Sequence, residues 1–171
     1  MERGLGSLAP FLFMKLDVNY PYPYPVGISW DKRFLELAQH IAQWSKDPST
    51  KVGAVIVDKE RRVVSLGYNG FPRCVNDTYE RLNNKSVKLQ LVKHAEENAI
   101  FNAIQRPTNC TIYVTHHPCA SCAGSIVQSG ITRVAFPRNS LDNGFGERWE
   151  ESIKLAQEIF SEANVKLDII V

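Results

Sequence analysis

Two short stretches of the sequence contain the residue types and the spacing of a metal centre with a proton carrier beside it. His94 and Glu96 stand two positions apart, and Cys119 and Cys122 form a Cys-x-x-Cys pair that begins directly after Pro118. Imidazole and thiolate are preferred ligands of Zn²⁺ in proteins. One histidine and two cysteines make three protein ligands, whereas a structural zinc site is normally closed by four. The pattern therefore favours a catalytic site whose fourth position is left for water.

Glu96 does not have to bind the metal in order to take part in the chemistry. A carboxylate beside an activated water can accept a proton and hand it on, which is general acid–base catalysis. Cys74 and Cys110 stay open as a fourth ligand that would close the site, but neither belongs to a second Cys-x-x-Cys pair. Taken alone, Cys-x-x-Cys would also fit a redox pair or a structural zinc site. His116 and His117 precede the pair, and we interpret them as pocket-wall or solvent-facing residues.

The elements that must position these side chains follow from the apolar pattern. Apolar residues at helical spacing predict helices over 29–44, 94–104, 119–128 and 147–160, and apolar runs predict strands over 51–57, 62–66, 110–115, 131–136 and 165–171. Ser29 is a candidate N-cap for the first helix, and Gly130 closes the third. The first strand is apolar nearly throughout, which predicts a central position in the sheet. A loop is expected at 67–72, and 71–93 is a polar insertion with little periodicity.

The order of these elements predicts the fold class and the domain organisation. A hairpin followed by alternating helices and strands gives an α/β fold with a five-stranded mixed sheet and helices on both faces, in which strands joined by a helical crossover run parallel. A length of 171 residues corresponds to one domain, which we place at 29–171. Residues 1–28 are expected to form an arm, because Tyr20 to Pro25 alternate tyrosine with proline and cannot be helical.

The composition excludes several classes of protein. The hydrophobic fraction of 44% and the charged fraction of 22% are ordinary for a globular protein. No apolar run approaches the roughly 20 residues that span a bilayer. The net charge of +2 is too balanced for a typical nucleic-acid binder, which carries a basic stripe. We therefore expect a cytoplasmic protein that binds neither membrane nor nucleic acid, although a small anionic ligand needs only a few local charges.

The pattern His-x-Glu followed by Pro-Cys-x-x-Cys resembles the signature of the zinc deaminases. Two further stretches, Trp44 to Val57 and Gly67 to Pro72, narrow the resemblance to the deoxycytidylate deaminases, and so does the insertion before His94. The resemblance covers about residues 30–136. It implies the three-layer cytidine-deaminase-like fold and the hydrolysis of dCMP to dUMP and ammonia.

The same resemblance implies roles for single residues. His94, Cys119 and Cys122 would hold Zn²⁺, and Glu96 would carry protons from water to the base and to the departing amine. The residues implied for substrate binding are Asn69, Ser45, Lys46 and Ala95. Asn69 would contact the sugar, or it is a turn residue that tolerates a positive φ. Lys46 is the favoured phosphate ligand, with a solvated loop charge as the alternative.

Regulation and assembly are further implications of the resemblance. Enzymes of this type are activated by dCTP with Mg²⁺, inhibited by dTTP and commonly hexameric. The segment associated with this control would be Gly67, Tyr68 and Gly70 around Asn69, whose glycines let backbone N–H groups approach phosphates. The alternative is an ordinary turn at the end of a strand. For the function as a whole, the alternatives are a deaminase of a nucleoside, a free base or tRNA, and a zinc-stabilised binding protein without activity.

Overall fold

The computed structural model describes residues 29–141 and 145–171. The arm expected at 1–28 lies outside this part of the chain and stays a prediction. The helices are α1 (Trp30–Ala42), α2 (Tyr79–Asn83), α3 (Lys85–Leu91), α4 (Ala95–Asn102), α5 (Ala120–Ser129) and α6 (Phe145–Glu162). The strands are β1 (Gly53–Val57), β2 (Val63–Tyr68), β3 (Thr111–Val114), β4 (Arg133–Pro137) and β5 (Lys166–Ile170), and a 3-10 helix, Arg138–Leu141, follows β4.

The five strands form one mixed sheet in the order β2-β1-β3-β4-β5. β1 is antiparallel to both β2 and β3, whereas β4 is parallel to both β3 and β5. The predicted hairpin, mixed sheet and parallel crossovers are therefore confirmed. Every residue of β1 is buried, in agreement with its uninterrupted apolar sequence, and the strand lies inside the sheet.

Helices cover both faces of this sheet, as predicted. Consecutive side chains of a strand point to opposite faces, and Val55 of β1 packs with Phe34 of α1 on one face. On the other face Ile56 belongs to a larger cluster, to which α4 contributes Ala99 and α6 contributes Phe160. Ser29 caps α1, since its hydroxyl accepts a backbone N–H in the first turn at 3.3 Å. Among the described helices, none combines the length and the apolar character of a membrane span.

One expectation about local structure is wrong, and two helices were not predicted. Gly67 belongs to β2 rather than to a loop. A Cβ atom at this position would lie 2.3 Å from the backbone nitrogen of Ala99, so only glycine lets α4 pack this closely on the strand. The insertion contains two helices, α2 and α3, whose first turns are capped by the side chains of Thr78 and Asn84. Such short helices start from local polar hydrogen bonds, which apolar periodicity does not reveal.

Arg133 in β4 joins α1 to β5. Its Nη1 and Nη2 donate to the two carboxylate oxygens of Asp31 at 2.9 and 3.0 Å, and its Nε donates to Asp168 at 2.6 Å. The Tyr113 hydroxyl donates to Asp31 at 2.7 Å. The hydrogen bonds from Arg133 hold the pKa of Asp31 below its ordinary value, although partial burial acts in the opposite direction. A partly buried bidentate ion pair therefore ties the first helix to the sheet.

Replacement of Asp31 by asparagine should destabilise the protein in a pH-dependent way. Because the pKa of Asp31 in the folded protein lies below its ordinary value of 3.8, the carboxylate contributes stability that is present above that value and is lost as the pH falls through the folded pKa. We expect D31N to lower the free energy of unfolding by about 1–2 kcal/mol at neutral pH. The difference from the wild type should shrink in acid, as measured by urea unfolding over a range of pH.

The variant E150Q is a matched control for D31N. Glu150 pairs with Lys154 at the surface, where both side chains are 67% exposed. Water and salt screen an exposed pair, so E150Q should have the smaller effect at neutral pH. A loss of stability in D31N that stays constant from neutral to acidic pH would contradict an electrostatic role for Asp31.

Candidate active site

His94, Cys119 and Cys122 come together in the structure as the sequence predicts. Their ligand atoms all lie within 4.8 Å of one another. His94 Nδ1 is 3.2 Å from Cys122 Sγ and 3.6 Å from Cys119 Sγ. Ligand atoms bound to one tetrahedral zinc ion lie roughly 3.5–3.8 Å apart, so the spacing and the donor types fit Zn²⁺. Among the described residues, neither the exposed Cys74 nor the buried Cys110 joins this group, so neither of them supplies the fourth ligand that would close the site.

Two helix N-termini deliver the three ligands. His94 is the N-cap of α4, Cys119 is the N-cap of α5, and Cys122 lies in the first turn of α5. The Glu97 carboxylate accepts the N–H of His94 at 3.3 Å, and the Ser152 hydroxyl of α6 accepts the first N–H of α5 at 3.0 Å. These hydrogen bonds satisfy groups that helix geometry leaves unpaired. They also fix the places where the two helices begin.

The surroundings of Cys119 favour the ionised, thiolate form of its side chain. Hydrogen bonds from Cys122 and His94 lower the pKa of Cys119 to about 4, although burial acts in the opposite direction. The same hydrogen bond and burial raise the pKa of Cys122. A helix N-terminus further favours a negative charge at this place. Cys119 is therefore ready as a thiolate at neutral pH, which is the form in which cysteine binds a metal.

Glu96 lies in the first turn of α4, two residues after His94, and is only 4% exposed. Burial raises the pKa of its carboxyl group above the ordinary value of 4.5, while His94 acts in the opposite direction. A carboxyl group whose pKa is raised towards neutral can both accept and donate a proton. This is the placement expected of a proton carrier beside a metal ligand.

Asn69 and Ser45, which the resemblance assigns to substrate, form a buried hydrogen-bonded unit. The Asn69 amide oxygen accepts the N–H of Val52 at 2.8 Å, and its amide nitrogen donates to the carbonyl of Thr50 at 2.9 Å. The Ser45 hydroxyl donates to the backbone carbonyl of Asn69 at 2.8 Å. Asn69 is not among the described residues with positive φ, so the left-handed alternative is wrong. Its side chain braces the chain before β1, and contact with a sugar stays a prediction.

Lys46, predicted to bind phosphate, and Tyr68 and Gly70, predicted for regulation, line one cleft of about 110 Å³, whereas Gly67 does not line it. Its lining includes Trp44, Lys46, Tyr68, Asn69, Gly70 and Asp77, and the metal ligands are not part of it. Gly70, at the cleft, exchanges backbone hydrogen bonds of 2.8 and 3.1 Å with Lys93, the residue before His94. Lys46 pairs with Asp77 at 2.7 Å and remains 69% exposed. Ala95, also predicted to touch substrate, is fully buried at the start of α4.

The sequence did not reveal the burial of two polar residues, Lys88 and His117. Lys88 of α3 is 8% exposed, and its ammonium group donates to Asp47 at 2.9 Å and to Ser49 at 3.0 Å. Nothing in the aperiodic insertion signals this partner, which is 41 positions away in sequence. His117 is 3% exposed, and its ring packs edge-on against that of Phe136 with the ring centroids 4.7 Å apart. The interpretation of His117 as a solvent-facing residue is therefore wrong. His116 is partly buried.

A family model described as the cytidine and deoxycytidylate deaminase zinc-binding region matches residues 28–137. The chain belongs to this family. The matched range contains His94, Cys119, Cys122 and Glu96, and it ends with β4. The resemblance stated from the sequence and the expectation of a hydrolytic deaminase are thereby confirmed.

Several relatives extend this similarity beyond the zinc region. An uncharacterized deaminase from the luxG 3′ region of Aliivibrio fischeri is 45% identical over 138 residues, which are 81% of this chain and 91% of that protein. A probable deoxycytidylate deaminase of Caenorhabditis elegans is 45% identical over 136 residues, which are 74% of this chain and 68% of that protein. The deoxycytidylate deaminase of Homo sapiens is 41% identical over 115 residues, which are 64% of this chain and 65% of that protein.

The fold is similar to that of a solved family structure. The dCMP deaminase of the cyanophage S-TIM5, in complex with dCMP and dUMP, matches with a TM-score of 0.62 at 19% identity, over 84% of this chain and 100% of that chain. At this level of sequence identity, the structural similarity is evidence only for a shared fold. It confirms the predicted cytidine-deaminase-like fold with its five-stranded mixed sheet.

Proposed function

We propose that this protein is a zinc-dependent enzyme that hydrolyses dCMP to dUMP and ammonia. The observation that carries the proposal is the buried carboxyl group of Glu96 beside a His-Cys-Cys ligand set. The substrate is taken from the relatives, among them the deoxycytidylate deaminase of Homo sapiens at 41% identity. The segments 44–57 and 67–72, which resemble those enzymes in sequence, both contribute residues to one cleft, and Gly70 of this cleft is hydrogen-bonded to Lys93, the neighbour of His94.

Zn²⁺ held by His94, Cys119 and Cys122 would supply the Lewis acidity that lowers the pKa of a water molecule towards neutral. Glu96 accepts one proton of the attacking water molecule and delivers it to ring nitrogen N3, while the remaining hydroxyl group adds to C4. Glu96 then takes the hydroxyl proton and passes it to the amino group on C4. The C4–N bond breaks, ammonia leaves, and C4 keeps the oxygen as the carbonyl of dUMP. One water is consumed, one ammonia is released, and Glu96 returns to its starting state.

Lys46 is the proposed ligand of the 5′-phosphate. It lies in the cleft, and its pairing with Asp77 is exposed, so a phosphate dianion can compete for the ammonium group. Ser45 and Asn69 stabilise the backbone beside it through their mutual hydrogen bond. Ala95 would contribute a backbone contact near the metal, since its side chain is buried in the core.

The segment Gly67 to Gly70 is proposed to respond to dCTP with Mg²⁺ and to dTTP. We also propose that the enzyme is a homo-oligomer, and specifically a hexamer, which is the typical form in the family. Tyr68 and Gly70 line the cleft, and Gly70 exchanges backbone hydrogen bonds with Lys93, the neighbour of His94. A nucleotide that orders this segment would therefore act on the start of α4. Coupling between two sites in proteins is typically about 1–3 kcal/mol.

Replacement of Glu96 by glutamine should abolish turnover and leave zinc bound. Glutamine keeps the size of the side chain but cannot accept and release the proton. We expect ammonia release from dCMP to fall to background while the zinc content, measured by atomic absorption, stays that of the wild type. C122S is the control, because loss of a thiolate ligand should remove zinc and lower the melting temperature. A near-normal rate in E96Q would contradict the proposed role of Glu96.

Phosphate recognition predicts that the enzyme prefers dCMP to deoxycytidine. Ammonia release should be measured with dCMP, deoxycytidine, cytidine, guanine and tRNA, each with and without a zinc chelator. We expect the highest kcat/KM with dCMP and a selective loss for dCMP in K46A, because only the nucleotide carries the phosphate that Lys46 would bind. Equal turnover of deoxycytidine would refute phosphate recognition, and turnover of tRNA alone would replace the proposed substrate.

Regulation predicts a characteristic change in the kinetics. The rate plotted against dCMP concentration should be sigmoidal, become hyperbolic with dCTP and Mg²⁺, and fall strongly with dTTP. The measurement is an initial-rate titration with each nucleotide, combined with light scattering to obtain the oligomeric state. A hyperbolic curve that neither nucleotide changes, or an active monomer, would remove this part of the proposal and leave the zinc chemistry intact.

A further inference from the structure

Two asparagine side chains of α4 donate hydrogen bonds to backbone carbonyl groups of β2. β2 is an edge strand of the sheet. The carbonyl oxygen of Tyr68 accepts a hydrogen bond from Asn98 Nδ2 at 2.8 Å, and the carbonyl oxygen of Leu66 accepts one from Asn102 Nδ2 at 3.0 Å. The two asparagines lie one turn apart on the helix, so they fasten α4 along the strand at two successive points.

Asn98 lies on the part of α4 that carries the chemistry. It follows Glu96 by two residues, and its backbone N–H donates to the carbonyl of His94 at 3.0 Å. On the other side of His94, the backbone of Lys93 is bridged to Gly70. The turn that bears His94 and Glu96 is therefore fastened at both ends to the same short stretch of chain, 68–70.

Packing alone does not supply this restraint. The close approach at Gly67 sets the distance between α4 and β2, but a contact between two backbones leaves the helix free to turn or slide along the strand. Directional hydrogen bonds resist such movements. The bond from Ser65 to the carbonyl of Ala99 at 2.7 Å, and that from Asn102, act on the later part of the helix. Asn98 restrains its catalytic end.

We propose that Asn98 is a positioning residue for Glu96. By donating to the carbonyl of Tyr68, the amide of Asn98 sets the orientation of the first turn of α4 and so the place of the Glu96 carboxyl group relative to the cysteines of α5. Glu96 must reach both a water molecule and ring nitrogen N3, and misplacement by about 1 Å can cost on the order of 100-fold in rate. The inference rests on the proposed deaminase function.

The test compares two asparagines that make the same kind of bond to the same strand. In N98A we expect kcat for dCMP to fall roughly 10- to 100-fold, with KM and zinc content near those of the wild type. N98D, which keeps the shape but has no N–H group to donate, should change kcat in the same direction. N102A is the matched control, because its lost bond to β2 lies one turn farther from Glu96; it also loses the hydrogen bond that Asn102 accepts from Arg73 at 2.9 Å, and its kcat should still stay near the wild-type value.

Stability and zinc content, measured by urea unfolding and atomic absorption, separate positioning from a merely structural role. An unchanged kcat in a folded N98A or N98D would overturn the inference. So would an equal fall of kcat in N102A, or a fall that follows loss of zinc or loss of folded protein. A wild-type enzyme that releases no ammonia from dCMP would instead refute the proposed substrate. The same variants would then be compared on whichever compound of the substrate panel is deaminated.

Discussion

The three candidate ligands can meet only if the N-termini of α4 and α5 lie side by side, and the rest of the site depends on that arrangement. Three ligand atoms within 4.8 Å of one another come from two helices that are separated in sequence by β3. Cys119 and His94 are both N-caps, so an error in the start of either helix would displace a ligand. The sheet sets the distance between the two helices, and the polar caps from Glu97 and Ser152 set where each helix starts.

The edge strand β2 and the chain before β1 support this arrangement from one side. The absence of a side chain at Gly67 lets α4 approach β2 closely, and Asn69 at the end of the same strand braces the backbone at 50–52. The short segment 67–70 therefore has two roles. Gly67 packs against α4, and the next three residues, 68–70, line the cleft.

The insertion is part of the body of the protein rather than an appendage. Lys88 and Asp47 form an ion pair whose side chains are each 10% exposed, and Asp47 also accepts the N–H groups of Ser49 and Thr50. Removing one partner of a buried pair leaves an uncompensated charge, which typically costs about 3–5 kcal/mol. The helix α3 thus holds the loop next to Lys46 in place. We therefore expect the insertion to affect the position of the cleft residues without lining the metal site.

The sequence by itself indicated the candidate metal ligands, the candidate proton carrier, the parallel direction of strands joined by helical crossovers and the two-faced sheet, because spacing and apolar periodicity are local properties. It could not determine the partners of Arg133, Lys88 or Asn98, since each of these polar contacts joins segments brought together only by folding. Gly67 shows the same limit. Its sequence neighbours indicate a loop, but its place in β2 is decided by the backbone of α4, which is more than 25 positions away in the chain. Buried polar contacts and close backbone approaches depend on three-dimensional neighbours, and those only the tertiary structure decided.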